Sequence, residues 1–162
     1  LVVAEADVPK PLIRQESEVI PEGTLMSEEQ ADNTLFDPAM LDSPDADVRR
    51  LAIIEVGKRR LTKFQDRLVR HLATEFEESN RRHIVRALGN LGSQQGAEIL
   101  LKIMVQEAGL ILGDAAESVG KLGFLQAEEA LERLQYSPVE YIANKARWAL
   151  TRLRRLDNDN EV

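Results

Sequence analysis

The sequence predicts an all-α protein, a solenoid of about four helical hairpins. Three observations carry this. First, one stretch recurs: RRLAIIEVGKRR (49–60), RRHIVRALGNLG (81–92), ILGDAAESVGKLG (111–123) and NKARWALTRLRRL (144–156) align. Val56-Gly57, Leu88-Gly89, Val119-Gly120 and Leu150-Thr151 superpose at steps of 32, 31 and 31 residues, a fixed period of the kind that stacked repeats require. Second, an apolar pair four apart lies in every copy: Ala52/Val56, Ile84/Leu88, Ala115/Val119 and Ala146/Leu150. That spacing puts both members on one helix face. Third, the chain is 43% hydrophobic but only 4% aromatic, with Ala and Leu supplying the apolar mass, as suits closely packed helices.

The elements follow in order. Residues 1–32 form an acidic segment with Pro9, Pro11, Pro21 and Gly23, in which neither a helical nor a strand period holds. A flexible arm is expected there. Its apolar pairs, Leu12-Ile13 and Val19-Ile20, fit either a linker or a strap that docks on the domain or on a partner. Residues 1–47 hold 12 acids against Lys10 and Arg14, a net of −10, whereas 48–162 hold 16 acids and 19 bases, a net of +3. The excess of acids therefore lies in the N-terminal 47 residues, and the rest of the chain is mildly basic. The repeat domain is expected over 33–156. Short amphipathic helices, LFDPAML (35–41), FQDRLVRHLA (64–73), AEILLKIMV (97–105) and AEEALERLQ (127–135), alternate with the longer recurring ones. Leu68, Leu100 and Leu131 hold their register, as do Leu72, Ile103 and Leu134. In SPDADVRR (43–50), Ser43 is expected as N-cap with Pro44 at the first helical position. Gly92 and Gly123 stand where helices should end in a left-handed residue. A disordered tail is expected over 157–162.

Glycine recurs inside the long helices as Gly57, Gly89 and Gly120. A phosphate loop would place its glycines between a strand and a helix. No strand pattern precedes them, so close helix–helix approach is the expected role. Cysteine is absent, which excludes disulfides, a thiolate nucleophile and a cysteine zinc site. No apolar run approaches the roughly 20 residues of a membrane span. A cytoplasmic protein is expected. The sequence begins at Leu1 rather than Met, so a periplasmic or membrane-anchored place stays open.

LFDPAMLDSPDADVRRLAIIEVG (35–57) and RRHIVRALGNLG (81–92) resemble the HEAT-repeat pattern of a leucine-rich helix, a D-x-D-x-x-V-R turn and A-x-x-A-L-G-x-L-G. The resemblance is to the short-repeat subtype also seen in phycocyanobilin lyases. It covers about residues 33–156. The second unit departs from it, with Glu78, Ser79 and Asn80 at the turn, and the third opens its long helix with AGLIL. The resemblance implies a right-handed superhelix whose first helices form a convex face and whose second helices form a concave one.

Superposed units give a ladder along the second helices. Position one reads Leu51, His83, Asp114, Lys145; position two, three residues on, reads Ile54, Arg86, Glu117, Trp148; a third reads Arg50, Arg82, Gly113, Asn144. Neighbouring units should set His83 near Asp114, Arg86 near Glu117, and Asp114 near Lys145. The ladder fits either structural registration of the stack or a partner-binding groove. Trp148, flanked by Arg147 and Arg152, fits either a peptide anchor or a cap on the last core layer. His83 with Asp114 lacks the nucleophile or metal that acid–base catalysis would need, and His71 lies on a first helix. A basic run includes Arg49, Arg50, Arg59, Arg60, Lys63 and Arg67. It fits a solvated edge, an acidic partner, the chain's own acidic arm, or nucleic acid, the last disfavoured because no aromatics interleave. The expected function is a non-catalytic protein-interaction module, scaffold or adaptor, with His83, Arg86, Asp114, Glu117, Lys145 and Trp148 as partner contacts. Bilin handling of the lyase kind is the alternative, and nucleic-acid binding through 49–70 a lesser one. No cofactor or metal is expected.

Overall fold

Asp45 starts the first long helix. Its carboxylate accepts from the amides of Asp47 (2.8 Å) and Val48 (3.4 Å), two donors that a helix start would otherwise leave unpaired. Ser43, expected in this place, turns its hydroxyl instead to the amide of Asp45 (3.1 Å) and so caps the turn before the helix.

The computed structural model describes residues 36–160; the N-terminal segment and its apolar pairs lie outside them. Among the described residues there is no strand, and seven α-helices follow one another: α1 (Ala46–Lys58), α2 (Gln65–Thr74), α3 (Glu78–Leu91), α4 (Gln94–Gln106), α5 (Ile111–Leu122), α6 (Glu128–Leu134) and α7 (Glu140–Asn160). Where a short helix is expected over 35–41, the chain forms a 3-10 segment, Pro38–Asp42. Asp37 caps it through the amide of Ala39 (2.8 Å), and the amides of Met40 and Ser43 reach back three residues, to the carbonyls of Asp37 (3.0 Å) and Met40 (3.3 Å). This segment packs on α1, and α2/α3, α4/α5 and α6/α7 pair as hairpins. The long helices form a layer of their own, α1 on α3, α3 on α5, α5 on α7. The result is an all-α solenoid of four hairpins.

The apolar pairs build the core. Ala52, Val56, Ile84, Leu88, Ala115, Val119, Ala146 and Leu150 are all at most 2% exposed, and Leu68, Leu100 and Leu131 are fully buried across from them. Each such leucine contributes about 2 kcal/mol by leaving water. Glycines set how closely the long helices approach. A Cβ on Gly57 would lie 2.8 Å from the Cα of Ala87; on Gly89, 2.5 Å from the Cβ of Ser118; on Gly120, 2.7 Å from the Cβ of Ala149. The recurring glycine is a packing seam, as its place inside a helix implies.

The helix ends follow the repeat too. Gly92 and Gly123 end α3 and α5 in the left-handed region, with φ of 78° and 68°. Arg60 occupies the same register place after α1 at φ 52°. The amides of Leu61 and Phe124 then reach back to the carbonyls of Val56 (3.0 Å) and Val119 (3.2 Å), closing the same kind of cap. One step further the residue is Arg154, and α7 does not stop. It runs to Asn160, past the boundary expected at 156, because no glycine ends it there and Leu153 is buried beneath it.

The junction of α1 with α3 is pinned by a buried carboxylate. Glu75 accepts from Arg49 Nε (2.8 Å) and a second Arg49 nitrogen (2.9 Å), from the amides of Phe76 and Glu77 (3.1 Å each) and from Asn80 Nδ2 (3.3 Å). Arg49 also donates to the carbonyls of Ser43 (2.8 Å) and Pro44 (3.0 Å), and Asn80 to that of Ala46 (2.9 Å). Asn80 is fully buried, in the register place that Val48, Ile111 and Ile142 fill in the other units.

Candidate functional site

The long-helix layer leaves one side of α1, α3, α5 and α7 uncovered by the short helices, and the ladder residues lie along it. At α1 it is apolar: Leu51 and Ile54 are exposed. Toward α3 it becomes a groove of about 370 Å³ lined by Ile54, Gly57, Lys58, His83, Arg86 and Asn90. His83 is partly buried there. Burial lowers its pKa, the cations of Arg86 and Arg50 lower it further, and Asp114 opposes them. These influences together disfavour its charged form.

Beyond it the charges pair, but in a register different from the expected one. Asp114, 1% exposed, takes Arg82 Nε at 2.5 Å and Arg86 at 2.8 Å. The hydroxyl of Tyr141 donates to the same carboxylate at 2.7 Å and accepts from Arg82 at 3.2 Å. So Arg86 meets Asp114, not Glu117, and His83 is not its partner. Glu117 pairs with Lys145, expected beside Asp114, and with Lys121 at 2.9 Å. The physical reason is reach. Asp114 is short and sits in the layer, so only long side chains arrive at it, Arg82 and Arg86 from α3 and Tyr141 from α7. Burial alone would raise the pKa of Asp114; the hydrogen bonds from Arg82, Tyr141 and Arg86 outweigh burial and hold it below its ordinary value. At Glu117, Lys145 and Lys121 outweigh burial in the same way.

Tyr141 beside Asp114, and Lys121 beside Glu117, are the members of the cluster that sequence reasoning missed; the ring is the more telling. A signal existed: Gly113 breaks the third ladder column, Arg50, Arg82, Gly113, Asn144. A Cβ at Gly113 would lie 2.5 Å from Cε1 of Tyr141, so the glycine makes room for that ring. Arg82 and Lys145 stand over the ring at 5.4 and 5.8 Å. Asn144 lies outside the carboxylate cluster and accepts from Arg147 (2.5 Å). Trp148 is 44% exposed on α7 with Arg152 over its ring at 6.0 Å.

The members of the basic run differ in their partners. Arg49 is spent on Glu75, Arg50 pairs with Asp47 at 2.8 Å, and Arg67 pairs with Asp42 on the short-helix side. Arg59 is partly buried; Arg60 and Lys63 are exposed, Lys63 over the ring of Phe64 at 5.2 Å. His71 also reaches Asp42, at 2.9 Å, so the two histidines lie on different layers. Among the described residues no three of His, Asp and Glu gather as a metal-holding group, and no helix is long and apolar enough to cross a membrane.

Stacked hairpins with a charged, partly open long-helix side define an α-solenoid, an architecture that presents extended surface. The family model for HEAT repeats matches residues 38–120. The chain belongs to the HEAT-repeat family. Such repeats generally mediate protein–protein contacts and are usually not enzymes. The match reaches the repeat family and not the lyase subtype. No curated protein matches the chain.

Proposed function

We propose that the chain is a protein-interaction module that holds a partner along the exposed side of α1, α3, α5 and α7. One observation carries the reading. Two carboxylates, Asp114 and Glu117, are met by four cations, Arg82, Arg86, Lys121 and Lys145. The cluster is fixed in place, yet it keeps a surplus of two positive charges, and Arg86 is 43% exposed. A surface whose side chains are already ordered binds without a further ordering cost of its own. The partner contacts are His83, Arg86, Glu117, Lys145 and Trp148, with Leu51 and Ile54 as the apolar end; Asp114 acts from beneath by fixing the arginines.

The test is affinity capture from an extract of the source cells, with the full chain and with an Arg86→Ala/Lys145→Ala variant. Both should show the same helical circular dichroism, because Asp114 keeps Arg82 and Tyr141. A partner enriched by the first and lost by the second supports the reading. Equal enrichment by both moves the site off this side.

A further inference from the structure

The last unit carries a second, different surface, and the repeat itself exposes it. Each long helix receives the next one on two columns. In one, Ile53, Val85 and Ala116 are buried; in the other, Gly57, Gly89 and Gly120 accept Ala87, Ser118 and Ala149. Continued at the same step, these columns reach Arg147 and Thr151, and both are exposed. A third column shows what should face them. In the first unit, Ile54, Gly57 and Lys58 make one wall of a groove whose other wall is α3. Their counterparts Trp148, Thr151 and Arg152, with Arg147, Arg155 and Leu156, line a cavity of about 520 Å³ made by α7 alone. The groove has one wall, and the place of the second is open among the described residues.

Another unit of the same kind does not suit it. Where the earlier helices have glycine, Thr151 carries a Cβ, and the gap that a Cβ would leave there is under 3 Å in all three earlier junctions. Close approach would also bury three arginines. Among the described residues no carboxylate pairs with Arg147, Arg152 or Arg155; Arg154, on another side of α7, is the one met by Glu128 and Glu132. Buried cations require partners.

We propose that this groove binds an acidic segment of a partner protein that carries an apolar side chain among its carboxylates. The apolar group fills the space between Trp148 and Leu156, and the carboxylates meet Arg147, Arg152 and Arg155. An arginine offers two parallel donors to a carboxylate, which suits it to this role. A nucleic-acid strand is the poorer guest, because successive bases need successive aromatic platforms and the groove has Trp148 alone. The proposal rests on reading the chain as a partner-binding module but places a second contact outside the Asp114 cluster, the two surfaces meeting at Trp148.

Trp148 is the chain's only tryptophan, so its fluorescence reports on the groove directly. The full chain is titrated with a Trp-free peptide of glutamates around a Leu-Phe pair, with calorimetry as the second readout. A saturable change is expected. Arg152→Glu/Arg155→Glu should weaken binding about tenfold or more, while the equally charged Arg70→Glu/Lys102→Glu on the short-helix side leaves it in place. No saturable change in the wild-type chain overturns the proposal. So does equal weakening by both double variants, equal binding of a peptide with alanines in place of Leu-Phe, or tighter binding of oligothymidylate. Binding lost in Arg86→Ala/Lys145→Ala but kept in Arg152→Glu/Arg155→Glu would return the segment to the Asp114 side. That outcome overturns the groove and leaves the interaction module standing.

Discussion

The same ion pair occurs twice, 32 residues apart, and does two different jobs. Arg49–Glu75 joins α1 to α3; Arg81–Glu107 sits in the equivalent place where α3 meets α5. In the first, the glutamate side chain is 3% exposed, in the second 32%. Arg49 holds the Glu75 carboxyl far down, to about 2 from an ordinary 4.5; burial works against this, and the amide of Glu77 and the side chain of Asn80 help. At the second junction Ile111 stands where Asn80 does, and Arg81 is the partner Glu107 has among the described side chains. One step of 31 further the places hold Leu112 and Pro138, which cannot pair. The difference teaches that residue type and register do not set the worth of an ion pair. Exclusion of water and the extra donors do.

The largest effect should come from Glu75→Gln. It removes a buried carboxylate from the partly buried Arg49 and should cost about 3 kcal/mol in denaturant unfolding. The pH dependence has a definite sign. A carboxyl held below its unfolded value adds stability that is complete above about 4.5 and is lost as pH falls toward about 2. That contribution is about 3 kcal/mol at 1.36 kcal/mol per unit, and it should vanish from the acid unfolding curve of the variant.

Next comes Asp114→Asn, about 2 kcal/mol, since its two arginines reach water and recover part of the loss. An unchanged midpoint would mean that the cluster does not hold α3 to α5. Gly89→Ala should cost about 1–2 kcal/mol by forcing the seam apart against Ser118, even after the gain in helix propensity. Adding Ser118→Gly should restore most of it; no rescue would mean that the strain lies elsewhere. Glu107→Gln should cost least, under about 1 kcal/mol, and less again at high salt. If it cost as much as Glu75→Gln, burial would not be what separates the two junctions.

Much of this was legible in the chain. The period, the apolar pairs, the glycine seam and the end caps at Gly92 and Gly123 are local or strictly repeated, so a single sequence displays them. The Glu75 pin was half visible: Asn80 breaks an otherwise apolar column, but Glu75 lies outside the recurring helix and its arginine is 26 residues away. The ladder was legible as a list of residues and not as a set of pairs. Steps of 31 and 32 place Arg86 beside Glu117, yet a flexible side chain several bonds long chooses its partner by reach and burial. Tyr141 was hidden because its hydroxyl arrives from a third helix.

What the sequence by itself determined is the number of units, the helix faces that become core and the glycines at which neighbours touch. These follow from spacing along one chain, where helical geometry converts position into direction. Only the tertiary structure decided which cations share Asp114, which of two identical ion pairs is dry, and that the outer side of α7 is a groove with one wall. Each of those depends on which groups from distant units exclude water together, and that is a property of the packed layer, not of any one stretch of residues.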